Sequence, residues 1–476
     1  MISMKDVCIR HHDVSGSTWM CAALICAYTV ALPLSASNIL AQTVADSTGT
    51  HAENDSRGSA AWVPQILGTQ VNVIAQHLAP FHSPYQGPMS LIPSGSDAIS
   101  HTYGVYAGAS LWHGLAAYLD VEMARGKGIS HASGLAGVTN GDVLRQGTAD
   151  LGNGPYVARA FVRYIRGLDG ASADTLVRNP DQLPEIVSAH RVEITAGKFA
   201  ASDLFDVNRY ANSTRLQFMN WGLFQNTAWD FAADTRGYTN GVALGWVTPR
   251  WTLRVGSFQM PRQANGNKFD AALDRARGDN IEVSLAVLPR DGVVRVLGYI
   301  NHARMGDYDE ALTRATQGAA PDIVADDRPG RMKRGVGINL EQPIADSGDT
   351  GLFARWGWND GHTESFAFTE VDGHLSGGVQ FAGSHWGRRE DRLGIAGVRH
   401  TITVPHQLYL ARGGRGFLLG DGALSYGREQ IIESYYRAQI GPYVEVSPDV
   451  QYVSDPGYNR DRGPAWVMSL RLNLRY

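Results

Sequence analysis

Residues 200–239 concentrate the side chains best suited to binding a small polar molecule. Carboxylates and amides exchange hydrogen bonds with hydroxyl groups, and the flat faces of indole rings cover apolar C–H surfaces. A hydroxyl-rich solute such as a sugar presents both kinds of surface. The segment could therefore line a channel as a constriction or cover its mouth as a cap. The expected contact residues are Asp203, Asp206, Asn208, Asn220, Trp221, Trp229 and Asp230.

A second set of charged residues recurs at a spacing of two within apolar segments. Asp120 and Glu122 alternate with Leu119, Val121 and Met123. Successive side chains of a β-strand point to opposite faces, so such charges would share one polar face, the lining of a lumen. The same parity places on that face Arg159, Arg163, Arg254, Arg295, Arg355, Arg437, Arg471, Glu282, Glu341, Glu445 and Asp449.

These residues include both positive and negative side chains, and this mixture indicates which charge a permeating solute would have. An anion-selective pore would favour one sign of charge, whereas a balanced lining suits neutral polar solutes. Any one of these residues could instead only solvate and stiffen the polar face. The whole chain is balanced too, with 42 Lys and Arg against 46 Asp and Glu. This composition argues against a nucleic-acid partner.

The segments that carry these residues have the period of a β-strand that faces lipid on one side. From Trp466 to Tyr476 every second residue is apolar, and the intervening residues include Ser469, Arg471 and Asn473. About ten residues of such alternation suit a tilted strand that crosses a bilayer. Sixteen strands are predicted, at 66–77, 102–111, 115–123, 156–166, 191–199, 240–247, 251–260, 280–288, 293–302, 334–342, 351–358, 376–382, 393–400, 431–440, 443–453 and 465–476.

The connections between these strands alternate between short turns and long loops. This pattern predicts an all-β fold, a single transmembrane antiparallel β-barrel of about 16 strands with long extracellular loops and short periplasmic turns. Two places depart from the pattern. The connection at 167–190 is long for a periplasmic turn, and Pro448 should cause a bulge or a local break in its strand.

The first residues have the features of an export signal. Lys5 and Arg10 precede an apolar stretch at 19–34, and small residues follow it. This stretch is shorter than the roughly 20 residues that a transmembrane helix needs, which favours a signal peptide over a membrane helix. The predicted organisation is a signal peptide at 1–41, a flexible segment at 42–65 and an outer-membrane barrel at 66–476.

Sequence motifs for catalysis or metal binding are not found. The histidines have no zinc-ligand spacing, no GxSxG motif occurs, and residues 420–422 are too short for a calcium loop. Cys8, Cys21 and Cys26 all lie within the predicted signal peptide. We therefore expect no enzyme activity, no metal and no cofactor, and a barrel enzyme with an unrecognised Ser–His pair is kept as an alternative.

Several longer motifs stand out in the loops and strands. They are FHSPY at 81–85, GKF at 197–199 with DVNRY at 206–210, QFMNW at 217–221, WDFA at 229–232, GGRGFLLGDG at 413–422, ESYY at 433–436, DVQY at 449–452 and NRDRGP at 459–464. These motifs resemble the OprB-type carbohydrate-selective porin family. The resemblance runs from about residue 66 to the end of the chain and implies a sixteen-stranded barrel for glucose and related sugars. Tyr476 departs from the family, where a terminal phenylalanine is more usual.

These observations lead to the hypothesis of a porin of the bacterial outer membrane. It would let glucose-like monosaccharides or small oligosaccharides diffuse passively, with sugars, outer-membrane lipid and lipopolysaccharide as its partners. One alternative is an export barrel for an extracellular polysaccharide, whose lumen should carry one sign of charge if the polymer is charged. Another is a general, non-selective porin. Both a monomer and a homotrimer are compatible with the sequence.

Overall fold

The computed structural model describes residues 64–143, 151–170 and 172–476. The predicted signal peptide at 1–41 lies outside the described residues, as does nearly all of the predicted flexible segment at 42–65. The described residues form one barrel, with its core on the inner side of the wall and within the loops.

Sixteen strands close into an antiparallel barrel. Each strand pairs with the next barrel strand of the chain, and the first strand pairs with the last to close the circle, for example at Val71 and Leu474. The barrel strands are β1 (Ile66–Leu78), β2 (Ser96–Trp112), β3 (Leu115–Gly126), β4 (Tyr156–Gly167), β7 (Arg191–Phe199), β8 (Thr239–Val247), β9 (Trp251–Gln259), β10 (Arg277–Leu288), β11 (Gly292–Met305), β12 (Arg328–Ala345), β13 (Thr350–Asn359), β14 (Gly373–Ala382), β15 (Arg392–Thr401), β16 (Gln430–Ile440), β17 (Val444–Ser454) and β18 (Ala465–Arg475).

The predicted fold class and all sixteen predicted strands are confirmed. The largest differences are at two strand starts, because β2 begins at Ser96 and β12 at Arg328, each six residues before the prediction. These extensions carry polar residues on both faces. They therefore lack the apolar alternation by which the lipid-facing parts of the strands were found.

The two faces of the wall follow the alternation of the sequence. Leu244, Val255 and Ile281 are neighbours on β8, β9 and β10, and all three are exposed on the outer surface. Glu282, one residue along from Ile281, is buried on the inner side. In lipid every backbone hydrogen bond must be made within the protein, and a closed barrel meets this demand without leaving an edge.

Aromatic side chains mark both rims of the apolar belt. Trp246 and Trp251 lie 5.4 Å apart, ring centre to ring centre, beside one short turn. Tyr452 and Trp466 lie 5.0 Å apart at the opposite rim, beside a loop. Amphipathic rings of this kind settle at the boundary between lipid and water. The two rims therefore bracket the part of the wall that lies in the hydrocarbon.

One end of the barrel, the turn end, has short connections, and the other, the loop end, has long ones. Six of the turns have between two and nine residues. The exception is T2, residues 168–190, which contains a two-stranded hairpin of β5 (Ala173–Leu176) and β6 (Glu185–Ser188). The connection that was predicted to be long for a periplasmic turn thus contains a hairpin of its own.

Pro448 lies within β17 and interrupts the sheet on one side only. The pairing with β18 is continuous there, with Pro448 opposite Leu470. The pairing with β16 stops at Asp449 and resumes at Val446 with its register unchanged. The structure therefore has the local break that the proline predicts, without a bulge.

Within the described residues, three short α-helices lie in the loops: α1 (Trp221–Phe224), α2 (Tyr308–Arg314) and α3 (Val404–Ala411). The ring of Tyr308 stacks on His406 at 4.3 Å and contacts Tyr409 at 5.2 Å, which joins α2 to α3 at the loop end. Among the described residues no helix is long and apolar enough to cross a membrane.

A charge on the outer surface should destabilise the barrel. Leu244 lies near the middle of β8, so we expect Leu244→Arg to lower the free energy of unfolding in vesicles by about 2–4 kcal/mol. Gln317→Arg, at an exposed loop position, is the control and should change it by less than about 0.5 kcal/mol. Urea titration of the folded protein measures both, and equal effects would contradict the assignment of the lipid face.

Candidate functional site

The loop between β7 and β8, L3 (residues 200–238), runs inside the barrel. Near its start, the backbone carbonyl and the carboxylate of Asp206 accept hydrogen bonds from the amide of Asn339 on β12, at 2.9 and 2.8 Å. Farther along, the hydroxyl of Tyr210 donates to the carbonyl of Gly348, in the turn between β12 and β13, at 2.9 Å. L3 therefore reaches the turn end of the lumen and does not merely cover the mouth.

Arg355 on β13 holds the first part of L3. Its side chain is fully buried, and its guanidinium donates to the carboxylate of Asp206 at 3.2 Å. It also donates to the carbonyls of Ala211 at 2.7 Å and Leu223 at 3.2 Å. The fork of an arginine can serve several acceptors at once, which suits an irregular loop with unpaired carbonyls.

Arg471 on β18 holds the middle of L3 from another part of the wall, five strands away from β13. Its guanidinium donates to the carbonyls of Thr214 and Gln217 at 2.6 and 2.8 Å. Beside it, Glu433 of β16 accepts from the backbone N–H of Asn220 at 2.9 Å. The side chain of Asn220 in turn donates to Gln451 of β17 at 3.0 Å. L3 is thus attached to two separate sectors of the wall.

Asp230 provides a third attachment, to β12 and to L6, the loop at 360–372. The ammonium of Lys333 lies 3.2 Å from its carboxylate, and the backbone N–H groups of Phe366 and Ala367 donate to it at 2.9 and 2.7 Å. Burial raises the pKa of Asp230, although Lys333 opposes this shift. Next to it, Trp229 donates its indole N–H to Asn280 at 2.9 Å.

The remaining predicted lumen residues are also engaged with protein partners. Arg295 pairs with Glu341 at 3.1 Å, and Asn208 donates to Asn339 at 2.7 Å. These residues, like Arg355 and Arg471, face inward but lie against L3 or the wall instead of at the surface of the open channel. The other contacts are Arg254 with Glu193 at 3.6 Å, Arg437 with Glu445 at 3.6 Å, and Arg163 with Gln182 at 2.6 Å.

An open channel remains between L3 and the wall formed by β1 to β4. Its cavity of about 830 Å³ is large enough for a small oligosaccharide and extends to the turn end at Tyr443 and Tyr476. Of the residues that the sequence predicts for the lumen face or the loop, five line this cavity: Asp120, Glu122, Arg159, Asp203 and Trp221.

The charges at the channel surface are balanced and mostly paired. In L3, Arg215 donates to Asp142 at 2.7 Å and to Glu122 at 2.9 Å. Burial lowers the pKa of Arg215, but these two carboxylates outweigh that and hold it well above its usual value. Among the described residues, the lining has five carboxylates and five guanidinium groups, from Asp120, Glu122, Asp142, Asp181, Asp203, Arg159, Arg178, Arg215, Arg236 and Arg475.

An aromatic surface faces the cavity from L3 and L6. The rings of Trp221 and Phe368 stack at 4.7 Å with an angle of 8° between their planes, and Phe224 packs beside Trp221 at 5.0 Å. Phe368 has a φ of 57°, a conformation that costs a bulky residue about 1–3 kcal/mol and is kept where the surroundings demand it. This backbone conformation accompanies the stacking of the ring on Trp221 at the channel surface.

Sequence reasoning missed Phe368, Arg215 and Arg236 because loops have no periodicity to mark an inward residue. Arg236 lies with its guanidinium 4.6 Å from the ring centre of Tyr156, and its Nε has no hydrogen-bond partner within the described part of the chain. The available signal was the cluster of charged residues in the long loop. It indicated the region but not the individual side chains.

The barrel is closed and antiparallel and has an apolar outer belt. Its polar channel is narrowed by an inward loop. This is the architecture of an outer-membrane porin. Residues 107–476 match the model of the carbohydrate-selective porin, OprB family, and the chain belongs to that family. It is therefore a channel of the bacterial outer membrane. The turn end of the barrel is periplasmic and the loop end extracellular.

Two of the proteins that resemble the chain show the extent of the similarity. The putative porin QuiX of Acinetobacter baylyi is 23% identical over 243 residues, which span 48% of this chain and 53% of that protein. The chain thus matches about half the length of this curated relative. The high-pH structure of Pseudomonas putida OprB superposes with a TM-score of 0.64 at 15% identity, covering 86% of this chain and 94% of the other. At this identity the superposition shows the shared fold.

Loss of the Arg355 anchor should release L3. Arg355→Met removes the cation that pairs with the buried carboxylate of Asp206 and the donor to two carbonyls, a loss of about 3–5 kcal/mol for a broken buried pair. We expect trypsin to cut the reconstituted variant in L3, at Arg209 or Arg215, and the single-channel conductance to rise. Arg334→Met, which removes an exposed arginine of β12, should resist trypsin as the parent does. Equal resistance of Arg355→Met would contradict the anchoring role.

Proposed function

We propose that this porin passes neutral monosaccharides and small oligosaccharides, with glucose as the model solute, by passive diffusion without a cofactor. The observation that carries the proposal is the pairing of two different surfaces across one cavity. The stacked rings of Trp221 and Phe368 face the solute from L3 and L6. Paired carboxylates and guanidinium groups supply hydrogen bonds around them.

This combination matches the two surfaces of a sugar. A pyranose has apolar C–H faces that pack on aromatic rings, and a rim of hydroxyls that exchanges hydrogen bonds with carboxylates and guanidinium groups. Asp120, Glu122, Asp203 and Trp221 are proposed as direct contacts, since all four line the cavity. Arg236 is added because it lines the same cavity.

The predicted residues that do not line the cavity receive a different role in this proposal. Arg355, Arg471, Asn220 and Asp230 act through L3, whose position they fix. The other predicted residues are paired with protein partners in the wall, in L3 or in T2, and we assign them a structural role. These are Arg163, Arg254, Arg295, Arg437, Glu445, Asp206, Asn208 and Trp229.

Charge balance supports a neutral solute over an ion. Five acidic and five basic side chains at the surface give the channel little net field along the path of a permeating molecule. A charged solute would have to give up water without a matching excess of opposite charge. L3 also reaches across the lumen and narrows it, which argues against the export of a long polymer.

Sugar binding in the channel should be visible as block of ion current. We expect glucose and maltose to reduce single-channel conductance in planar bilayers in a saturable way, and an uncharged non-sugar of similar size not to do so. Trp221→Ala should weaken the block several-fold, since an aromatic contact contributes about 1 kcal/mol. Trp386→Ala, in a periplasmic turn, is the matched control and should leave the block unchanged.

The result that would overturn selectivity is a steady conductance that no sugar alters. The chain would then be a general porin of the same fold, and the aromatic surface would have a packing role only. A block that persists in Trp221→Ala would keep sugar binding but move it away from this ring.

Charge discrimination gives a second, independent measurement. Liposomes that contain the protein should swell faster in glucose than in gluconate, which is of similar size but carries a negative charge, because the balanced lining offers no net attraction to an anion. Empty liposomes correct for leakage. Equal swelling rates in the two solutes would remove the proposed preference for neutral molecules.

A further inference from the structure

The periplasmic connection T2 differs from the other turns in length and in position. Its hairpin stands at the periplasmic end with Val177 and Ile186 exposed to 73% and 76%. The segment between its two strands instead bends toward the lumen. Four consecutive residues of this segment, 178–181, line the channel cavity. We call these four residues the T2 tip.

The T2 tip is held by specific contacts with the wall. The guanidinium of Arg163 on β4 donates to the side chain of Gln182 at 2.6 Å and to the carbonyl of Asp181 at 3.0 Å. The backbone N–H of Leu183 donates to the hydroxyl of Tyr118 on β3 at 3.1 Å, and the Leu183 side chain is buried there. These contacts define one position for the tip.

The T2 tip also extends along the exit of the channel. Arg178 donates to the carbonyl of Leu67 on β1 at 3.4 Å, although T2 is connected to β4 and β7. The tip therefore passes the periplasmic ends of β3 and β2. Tyr443, which precedes β17, and Tyr476, which follows β18, line the same end of the cavity.

One arginine joins the T2 tip to L3. Arg159 on β4 lies 3.4 Å from the carboxylate of Asp181 in the tip and 2.7 Å from that of Asp203 in L3. Asp120 of β3 completes the group at 3.2 Å. The two inward segments, one from each end of the barrel, thus share a single cation.

We propose that the T2 tip is a second constriction of the channel, placed at its periplasmic exit and in series with L3. Arg178 and Asp181 give the exit one charge of each sign, and Asn179 adds an amide between them. The exit therefore repeats the balanced, hydrogen-bonding character of the main channel. Ion current must pass this constriction whatever solute the porin carries, so the inference does not depend on sugar selectivity.

Single cysteines test the position of the tip. In a background with Cys8, Cys21 and Cys26 changed to Ser, Asn179→Cys is treated with a bulky methanethiosulfonate from the periplasmic side. We expect conductance to fall by about half or more, because the added group narrows the exit. Ile186→Cys, on the exposed side of the same hairpin, should react equally by mass spectrometry without a change in conductance. Complete reaction at position 179 with unchanged conductance would overturn the proposal.

A shortened connection gives the converse test. Replacing residues 176–185 with an Asn-Gly turn removes the T2 tip and leaves every barrel strand intact. We expect the salt conductance to rise, while heat-modifiable migration on a gel shows that the barrel has folded. A folded variant with unchanged or lower conductance would show that the tip does not restrict the exit. Since both tests use salt alone, a failure here is distinct from a failure of sugar block.

Discussion

The structure depends on one constraint, that no backbone N–H or C=O group may remain unpaired in lipid. Closing β1 onto β18 satisfies this for the wall without any contribution from side chains. The outward side chains are then free to be apolar, and the inward ones free to be polar. Inside the wall, where water and polar side chains are available, irregular backbone such as L3 becomes acceptable. A polar channel can therefore form inside the wall, because the wall itself pairs the backbone groups that lie in lipid.

Within that wall, arginine has two distinct uses. Arg355 and Arg471 direct their guanidinium groups at backbone carbonyls of L3 and are buried with them. Arg159 and Arg215 instead join carboxylates at the channel surface, where solute passes. The first use converts an irregular loop into a rigid partition. The second leaves a surface that is rich in hydrogen-bonding groups but nearly neutral, which is the property that the proposed sugar path requires.

The barrel could be predicted from the sequence because lipid imposes a period of two on each strand. That period also gave the inward direction of residues such as Asp120, Glu122 and Arg355. It could not show which inward residues meet open water, since Arg355 lies under a loop whose course has no periodic signal. The partners of Arg215 are 73 and 93 residues away in the chain, and Phe368 belongs to another loop. Such contacts are set by the folded barrel, and no local pattern encodes them.

The attachments of L3 also bear on the order in which the protein assembles. Glu122 of β3 and Arg159 of β4 precede L3 in the chain, but the other strand residues described as its anchors follow it. Asp206 bonds Arg355, 149 residues later, and Thr214 bonds Arg471, 257 residues later. A partly assembled sheet without its last strands lacks these donors, and closing such long segments of chain is slow. Insertion of the final strand therefore seals the wall and fixes the loop in the same event, so the finished pore diameter is established only when assembly ends.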